Sequence, residues 1–142
     1  VNESIGTIAG MYSEGIIDIA QLHGDEDSDY IKRLKERCGC RVIKTVAIGD
    51  ALPPIPDGYD YLLFDTLSAE RGGTGRAFDW HIIEEFSAAP YFLAGGLSAA
   101  NVEEAVRLLS PYCVDVSGGV ETYGVKDPAK IHEFVSIVRR DY

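Results

Sequence analysis

Two glycine doublets, each placed after a short apolar run, are the first residues in this sequence whose type and spacing indicate chemistry. Gly95 and Gly96 follow one run, and Gly118 and Gly119 follow another. Glycine allows the backbone to approach a ligand closely, so that the amide N–H groups of such turns can be directed at an anion. Two of these turns after neighbouring strands predict that one phosphate group is held between them. Tight turns that bind no ligand are the simpler alternative for the same pattern.

Four polar side chains near the ends of predicted strands are further candidates for contact with a substrate. Asp65 ends an apolar run, where its carboxyl group could serve as a general acid or could cap the following loop. Gln21 and His23 are two residues apart near a strand end, so both should point to the same face. A histidine in that position alone is more often structural. Asp115 is expected to face the interior, where a buried carboxylate requires a partner such as a substrate amine or a neighbouring side chain.

Size and charge limit the classes of protein and partner that fit. A chain of 142 residues with 46% hydrophobic residues is the size of one ordinary domain and can bury a core. Its formal net charge of −10 argues against nucleic-acid binding, and it means that an anionic substrate must be held by local amides and helix N-termini. Neither a membrane-spanning stretch nor a signal-peptide pattern is found, so we predict no membrane partner and a cytoplasmic location.

The cysteines and acidic residues do not form a recognisable metal or redox motif. Three cysteines without a C-x-x-C pair fit neither a disulfide framework nor a common zinc site. Cys38 and Cys40 could form a weak thiol motif, but a helix end followed by a strand start explains the Cys-Gly-Cys sequence more simply. The acidic cluster at 25–29 is expected to be a solvated helix start rather than a metal site. We therefore predict neither a metal nor a cofactor.

Five predicted strands alternate with amphipathic helical segments, and these elements must hold the candidate residues in place. The strands are predicted at 16–23, 41–48, 59–65, 91–94 and 113–117. The helices are predicted at about 4–14, at 27–37, from Trp80, along the apolar face of 102–109, and from the N-cap Asp127 with Pro128 at the first position. Continuous apolar strands separated by helices imply a parallel sheet covered by helices. This pattern fits a complete open sheet of flavodoxin type or the last five units of an eight-unit barrel.

Local signals around the predicted site concern one loop and two helices. The segment from 67 to 77 is polar and glycine-rich, and a loop of that length inside a βα unit is usually functional. Asp79 is the predicted N-cap of the helix that follows, with Phe78 and Ile83 as a hydrophobic staple. The last helix carries a clear apolar stripe: Ile131, Phe134, Val135 and Val138.

Several phrases occur in an order and spacing that are highly specific in combination. They are Gln21-Leu22-His23-Gly24-Asp25-Glu26, Phe64-Asp65-Thr66, Gly72-Gly73-Thr74-Gly75-Arg76-Ala77-Phe78-Asp79-Trp80, Leu93-Ala94-Gly95-Gly96-Leu97, Asn101-Val102, Val114-Asp115-Val116-Ser117-Gly118-Gly119-Val120-Glu121-Thr122 and Gly124-Val125-Lys126-Asp127. Together they closely resemble the phosphoribosylanthranilate isomerase family of tryptophan biosynthesis, over essentially the whole chain. The resemblance implies an α/β fold of the (β/α)8 TIM-barrel family, with phosphate held in the loops after the last two strands. Residues 1–142 would then be a single C-terminal portion of such a barrel, with about five βα units that correspond to strands four to eight and without strands one to three.

The resemblance also implies a reaction, an Amadori rearrangement that converts N-(5-phosphoribosyl)anthranilate into the carboxyphenylamino-deoxyribulose phosphate. An acid protonates the furanose oxygen to open the ring, and a base then removes the proton at C2. Asp65 matches the family's general acid, and the two glycine turns match its phosphate-binding turns. Gln21 and His23 match residues at the barrel mouth. One departure is that Gly118 stands where the family usually has a second serine, which removes a hydroxyl group but keeps the backbone amides.

Parts of the family's site are absent from these 142 residues. A family member has a Lys-Ile-Cys-Gly-type motif on strand one, whose cysteine is the general base, and an arginine near strand two that contacts the anthranilate carboxylate. Cys38, Cys40 and Cys113 do not lie in that motif, so none inherits the role. Two functions therefore stay open: an isomerase, or a non-catalytic barrel fragment that keeps the phosphate turns without turnover. A weaker alternative is another phosphate-binding barrel such as indole-glycerol phosphate synthase, but its lysine-rich signature is lacking.

The number of strands leads to an expectation about binding partners, because an incomplete barrel leaves its sheet edges open. Five strands cannot close an eight-stranded barrel, so apolar edges and faces would be exposed. We therefore expect the isolated chain to be unstable, to form a homo-oligomer, or to associate with the missing N-terminal segment. Its other expected partner is a small phosphorylated substrate.

Overall fold

The computed structural model describes residues 1–67 and 77–140. Its α-helices are α1 (Ile5–Ser13), α2 (Ser28–Cys38), α3 (Val102–Leu109) and α4 (Pro128–Val138). Its strands are β1 (Ile19–Leu22), β2 (Arg41–Ile48), β3 (Tyr61–Thr66), β4 (Tyr91–Leu93), β5 (Cys113–Val114), β6 (Glu121–Thr122) and β7 (Val125–Lys126), and short 3-10 helices occupy Trp80–Ile83 and Gly118–Val120. The glycine-rich loop at 67–77 lies outside the described residues except for its two end positions. Among the described residues, no helix combines the length and apolar character needed to cross a lipid bilayer.

Side-chain caps set the starts of α2 and α4. Asp27 accepts the N–H of Tyr30 at 2.9 Å at the start of α2, and Asp127 accepts the N–H of Ala129 at 2.9 Å at the start of α4. Each carboxylate satisfies an N–H group that has no partner within its helix. Gly39 ends α2 in the left-handed conformation, at φ 70°. The cap predicted at Asp127 is therefore confirmed, and the helix predicted at 27–37 forms one residue later.

Three predicted elements are shorter than expected, and one element is new. The first strand is confined to β1 and the fifth to the two residues of β5. The helix predicted from Trp80 is a single 3-10 turn, although Asp79 caps it as predicted by accepting the N–H of His81 at 3.1 Å. After the second glycine turn the chain forms the antiparallel β6–β7 hairpin, with Glu121 opposite Lys126. Strands of two residues are too short to show alternation, so periodicity did not indicate this hairpin.

Strand order distinguishes the two architectures that the sequence left open, an open sheet of flavodoxin type and part of an eight-unit barrel. The main sheet has the order β1-β2-β3-β4-β5. The pairing of β1 with β2 is parallel, with Gln21 opposite Ile43, and that of β4 with β5 is parallel, with Leu93 opposite Val114. A flavodoxin-type sheet has the order 2-1-3-4-5 and reverses direction after its second strand. Here each strand is added to the same edge, which is the order of a barrel.

The described chain divides into two compact units. The first unit comprises Val1–Val46 and Pro54–Leu63, and the second comprises Ala47–Pro53 and Phe64–Tyr142. Strands β2 and β3 therefore contribute residues to both units. Each unit has its own buried side chains and its own part of the predicted site.

The core of the first unit lies between α1, α2 and one face of β1 and β2. Its buried members are Ile8, Ala20, Leu22, Ile31, Leu34, Cys40 and Val42. Because Ala20 and Leu22 belong to this cluster, the intervening Gln21 points to the opposite face of β1.

A buried ion pair in the first unit fixes the loop after β1. Lys44 Nζ lies 3.1 Å from Glu26 Oε2, and the two side chains are only 6% and 3% exposed. Lys44 also donates to the Gly24 carbonyl oxygen at 2.7 Å, and the Glu26 carboxylate accepts the N–H groups of Asn2 at 2.7 Å and of Gly24 at 2.8 Å. These hydrogen bonds offset the desolvation of both charges. The expectation of a wholly solvated acidic cluster at 25–29 is therefore wrong for Glu26.

Three aromatic rings form part of the core of the second unit. The Phe64 ring makes edge contacts with Phe86 and Tyr91, with centroid distances of 5.1 Å in both cases. The Tyr91 hydroxyl donates to the Leu109 carbonyl oxygen at 2.7 Å, which links β4 to the end of α3. Of the apolar stripe predicted on α4, Phe134 is the member that is buried. These contacts pack β3 and β4 against the core of the second unit, below the carboxyl ends of the two strands.

The Glu26–Lys44 pair predicts an acid-sensitive stability. Burial alone raises the pKa of Glu26, but the hydrogen bonds from Asn2, Gly24 and Lys44 outweigh burial and hold the pKa below its ordinary value of 4.5. The stabilisation is therefore present above about pH 4.5 and is lost as the pH falls through the lower folded value. We expect the free energy of unfolding from urea titration to fall below about pH 5, and Glu26→Gln to reduce that fall. At neutral pH this variant should lose about 3 kcal/mol, because Lys44 is left buried without its counterion.

Asp29→Asn in the full native protein is the matched control for this carboxyl-to-amide change. The Asp29 side chain is 73% exposed, and its carboxylate lies 3.7 Å from Arg33. A surface pair of this kind contributes about 0.5 kcal/mol or less, so stability and acid dependence should stay close to those of the wild type. Wild-type stability of Glu26→Gln at neutral pH would contradict the buried pair.

Candidate active site

Three predicted site residues of the second unit lie at the carboxyl ends of neighbouring strands. Asp65 is in β3, Gly95 follows β4, and Gly119 lies beyond β5. Parallel β/α proteins bind ligands at this end of the sheet, where the loops after successive strands meet. Whether these residues form one site depends on the contacts between their loops.

Asp65 is oriented by the backbone that follows it. Its side chain is half-buried, and Oδ1 accepts the N–H of Thr66 at 2.7 Å. This contact is the local capping role that the sequence left open for the carboxylate. A carboxyl group oriented through one oxygen also has the fixed direction that general acid catalysis requires, so the two roles are compatible.

The first glycine doublet is required by the path of the backbone next to Asp65. Gly95 and Gly96 both have left-handed backbone conformations, at φ 81° and 67°. A Cβ at Gly95 would meet the Thr66 amide nitrogen at 2.5 Å and Asp65 Oδ1 at 2.9 Å, and it would also collide with the Thr66 hydroxyl. Only glycine therefore lets the turn after β4 lie directly against the candidate acid.

The second glycine doublet packs against the segment that follows the first. A Cβ at Gly119 would collide with the carbonyl oxygen of Leu97 and would approach Ser98 Cα at 3.0 Å. A Cβ at Gly118 would meet nothing within 4 Å, so the space beside this residue is open. The two glycine turns are thus in backbone contact and border an open space, as a shared anion site requires.

Asn101 braces the first glycine turn, a role that sequence reasoning did not assign to it. Its Oδ1 accepts the N–H of Ser98 at 2.8 Å, and its Nδ2 donates to the Gly96 carbonyl oxygen at 3.0 Å. An asparagine directly before a helical apolar pattern is typical of an N-cap. Its side chain instead bonds back to the turn and makes no capping hydrogen bond to α3. The sequence pattern marks Asn101 as a polar residue at a helix start, but it does not indicate that the side chain bonds to Gly96 and Ser98.

Asp115 lies just beyond β5, and its N–H donates to the Leu93 carbonyl oxygen at 2.8 Å. The residue is exposed in the structure, so the expectation of a buried carboxylate with a required partner is not met. Partial burial of the thiol and the nearby Asp115 charge raise the pKa of Cys113.

Two predicted site residues belong to the first unit. Gln21 is exposed on β1, and the half-buried His23 comes directly after the end of that strand. The orientation of Gln21 away from the core of the first unit agrees with the alternation of a strand. His23 interacts with other protein groups, which is consistent with the structural role that the sequence left open.

Cys38 and Cys40 lie at a helix end and a strand start, and they are poorly suited to act as a general base. Cys40 is fully buried, and burial raises the pKa of its thiol to about 12, so it is protonated at neutral pH. Cys38 Sγ donates to the Leu34 carbonyl oxygen at 3.3 Å in the last turn of α2. Within residues 1–67 and 77–140, no group of three or more His, Cys, Asp or Glu side chains is arranged to hold a metal ion.

Comparison with known sequences finds relatives over nearly the whole chain. The family model described as N-(5'phosphoribosyl)anthranilate (PRA) isomerase matches residues 1–137. The N-(5'-phosphoribosyl)anthranilate isomerase of Endomicrobium trichonymphae is 50% identical over 140 residues, which are 98% of this chain and 70% of that protein.

Solved structures agree with the sequence relatives. The phosphoribosyl anthranilate isomerase of Thermotoga maritima matches with a TM-score of 0.80 at 31% identity, over 99% of this chain and 70% of that one. A phosphoribosyl anthranilate isomerase solved in complex with reduced 1-(o-carboxyphenylamino)-1-deoxyribulose 5-phosphate matches with a TM-score of 0.77 at 28% identity, over 98% of this chain and 68% of that one. Together with the parallel sheet, these neighbours place the fold in the (β/α)8 family.

Two adjacent glycines provide a matched test of the backbone contact between the turns. Gly119→Ala should lower the free energy of unfolding by about 1–3 kcal/mol, because the added methyl group collides with the rigid Leu97 carbonyl. Gly118→Ala should change stability by about 0.5 kcal/mol or less, because its methyl group enters open space. Thermal and urea unfolding of both variants measure the difference. Equal stability of the two would contradict the contact.

Proposed function

The chain belongs to the N-(5'-phosphoribosyl)anthranilate isomerase family, and from this membership we infer that it is an isomerase of tryptophan biosynthesis. The reaction is an Amadori rearrangement, in which an N-linked aminoaldose phosphate becomes a 1-amino-1-deoxyketose phosphate. The observation that connects this activity to particular residues is the contact between Gly95 and Asp65. It sets a carboxyl group directly beside a turn of the kind that binds phosphate.

The reaction needs two proton-transfer groups on different sides of the substrate. Opening the ring requires an acid that protonates the furanose oxygen, and a base must then remove the proton at C2. In our proposal Asp65 is the acid, because it stands at the carboxyl end of β3 with its carboxylate oriented by the Thr66 N–H. The base must act from the opposite side, so that acid and base do not neutralise each other.

The two glycine turns hold the phosphate group of the substrate in this proposal. The contact of Gly119 with Leu97 and the open space beside Gly118 support this proposal, because they bring the two turns together beside space for one group. Backbone N–H donors suit a chain with a formal net charge of −10, because they bind an anion locally without a positive overall field. Gly95 and Gly96 contribute the first turn, next to the acid.

Three further side chains are proposed as substrate contacts because of the resemblance to the family. Gln21 and His23 are proposed contacts from the carboxyl end of β1, and Asp115 is the proposed partner of the substrate amine. The partner implied by this set is a small phosphorylated molecule, in line with the net negative charge that disfavours nucleic acid. A cytoplasmic location stays a prediction.

The general base is not assigned to a residue of this sequence. The family places it in a Lys-Ile-Cys-Gly-type motif, and these 142 residues contain none. Cys40 is a poor substitute because it is buried and protonated. The chain covers 70% of its Endomicrobium trichonymphae relative. We propose that β1 to β5 correspond to strands four to eight of the barrel, and that the base comes from another βα unit.

Replacement of Asp65 tests the proposed acid. In the full native protein, Asp65→Asn should lower kcat for isomerisation by about 100-fold or more, because the amide cannot donate the required proton in the same way. Competitive inhibition by inorganic phosphate should stay within about twofold, because the glycine turns are unchanged.

Asp18→Asn is the control for Asp65→Asn, since Asp18 is exposed at the amino end of β1. It should leave kcat and phosphate inhibition unchanged. A kcat for Asp65→Asn within about tenfold of the wild type would remove Asp65 as the acid. A wild-type protein that binds phosphate without any turnover would instead support the non-catalytic barrel fragment.

The open edges of the sheet predict association. Strands β1 and β5 end the order of the described main sheet, so each pairs there with one neighbour. We propose that further βα units or a second copy of the chain cover these edges. In sedimentation, the 142-residue chain alone should be oligomeric or unfolded, and it should form a complex with the first three βα units of the Endomicrobium trichonymphae relative. A 15.5 kDa monomer that unfolds cooperatively by itself would contradict this proposal.

A further inference from the structure

Lys126, on β7, connects the two sides of the second glycine turn. Its Nζ donates to the Ser117 carbonyl oxygen at 3.0 Å, to Ser117 Oγ at 2.9 Å and to Glu121 Oε1 at 2.7 Å. Ser117 directly precedes the 3-10 turn Gly118–Val120, and Glu121 directly follows it. One ammonium group therefore ties the residue before the turn to the residue after it.

The three hydrogen bonds occupy the donors of the ammonium group. A lysine ammonium has three N–H donors, and here each is directed at a different protein oxygen. Lys126 is therefore not itself a direct ligand for an anion in this geometry. Its influence on a bound anion must pass through Ser117 and the two glycines that follow.

The Ser117 hydroxyl is the group that transmits this influence. A hydroxyl has one donor and two acceptor lone pairs, so an Oγ that accepts from Lys126 keeps its own hydrogen for another acceptor. Hydrogen bonds in a chain polarise one another, and the bond from a cation strengthens the hydroxyl as a donor. Ser117 and Gly118 are exposed, and the space beside Gly118 is open. An anion in that space can receive the hydroxyl hydrogen together with N–H groups of the turn.

We propose that Lys126 is a positioning residue for the phosphate group of the substrate. It holds Ser117 and the turn at 118–120 in the orientation that receives the phosphate, and it places a positive charge near that group in a chain of net charge −10. The proposal rests on the assignment of the glycine turns to phosphate binding. Because the phosphate does not react, its binding stabilises substrate and transition state equally, so the effect falls on KM and not on kcat.

The turn has other braces, so the protein should fold without Lys126. The Asp127 N–H donates to the Val120 carbonyl oxygen at 2.8 Å, and Thr122 Oγ1 donates to Asp127 Oδ2 at 2.7 Å. The Lys126 side chain is 50% exposed, and a methionine of similar length can remain at the surface. The melting temperature of Lys126→Met without phosphate should therefore stay close to that of the wild type.

Lys130, in the first turn of α4, provides a matched control because it also contacts the hairpin. Its Nζ donates to the Glu121 carbonyl oxygen at 2.6 Å, whereas Lys126 reaches Ser117 as well as Glu121. Lys126→Met and Lys130→Met each remove one positive charge from this region. A comparison of the two variants therefore separates the contact with Ser117 from the change in charge.

The experiment measures inorganic phosphate binding by calorimetric titration, and KM and kcat for the phosphoribosyl substrate, in the full native protein. Lys126→Met should weaken phosphate binding and raise KM by about tenfold, with kcat within about twofold. Lys130→Met should change each quantity by about twofold or less. Lys126→Arg should recover part of the phosphate affinity, because a guanidinium can still donate to Ser117.

Four other results of this experiment would overturn the positioning role of Lys126, and a fifth would remove only the proposed function. Equal losses in Lys126→Met and Lys130→Met would reduce the effect to net charge and overturn the positioning role. A parallel fall of kcat and melting temperature in Lys126→Met would overturn it as well, because that pattern reports a general structural role. Unchanged phosphate affinity in Lys126→Met, or no phosphate binding by the wild type, would overturn it directly. A wild type whose phosphate affinity depends on Lys126, but which does not isomerise the substrate, would remove the proposed function and keep the positioning role of Lys126.

Discussion

Direct backbone contact between loops that follow neighbouring strands is the constraint on which the site depends. Strands in a sheet are only about 5 Å apart, so their loops can meet only where side chains are absent. Gly95 allows such a contact with the end of β3, and Gly119 allows one with Leu97. The orientation of Asp65 and the shape of the glycine turns are therefore consequences of the same packing. A ligand that contacts both Asp65 and the glycine turns meets groups that the folded sheet already holds in place. Little conformational entropy is then lost when the ligand binds.

Two lysines of this chain hold loops in place after strands. Lys44 bonds to the Gly24 carbonyl oxygen after β1, and Lys126 bonds to the Ser117 carbonyl oxygen after β5. Each lysine also has a carboxylate partner close to the same loop, Glu26 in one case and Glu121 in the other. In the proposed phosphate site the donors are backbone N–H groups, and Lys126 holds the second glycine turn that carries some of them. A strongly acidic chain can bind a phosphorylated substrate in this way, because the attraction acts over short distances.

Features that depend on local sequence could be predicted, and those that depend on distant partners could not. The alternation of apolar residues and the caps predicted β2 at its observed bounds and the start of α4 at Asp127. The Gly95 and Gly119 turns also followed from residue type, because few other residues permit such close approach. The burial of Glu26 and the contact between Lys126 and Ser117 could not be predicted from residue type. Glu26 pairs with Lys44, and Lys126 with Ser117, and the partners in each pair are far apart in the chain or on different elements. A lysine within the apolar run of β2 was the available signal for a buried counterion, and it becomes informative only with a partner identified. The roles of Gln21, His23 and Asp115 stay predictions.

The position of the proposed acid also limits where the base can be. Asp65 and the glycine turns lie at the carboxyl ends of β3, β4 and β5, and their loops are in contact with one another. In the proposed mechanism, a substrate whose phosphate is bound by these turns presents its ring oxygen toward Asp65, and the C2 proton that leaves faces away from these three strands. A base placed among the same loops would share a proton with Asp65, because two titrating groups a few ångströms apart shift each other's protonation. The proposed chemistry thus requires the acid and the base to lie on strands that are well separated from each other. For this reason, we propose that groups on β3 to β5 serve the ring-opening side of the reaction and that the proton-abstracting side belongs to other βα units.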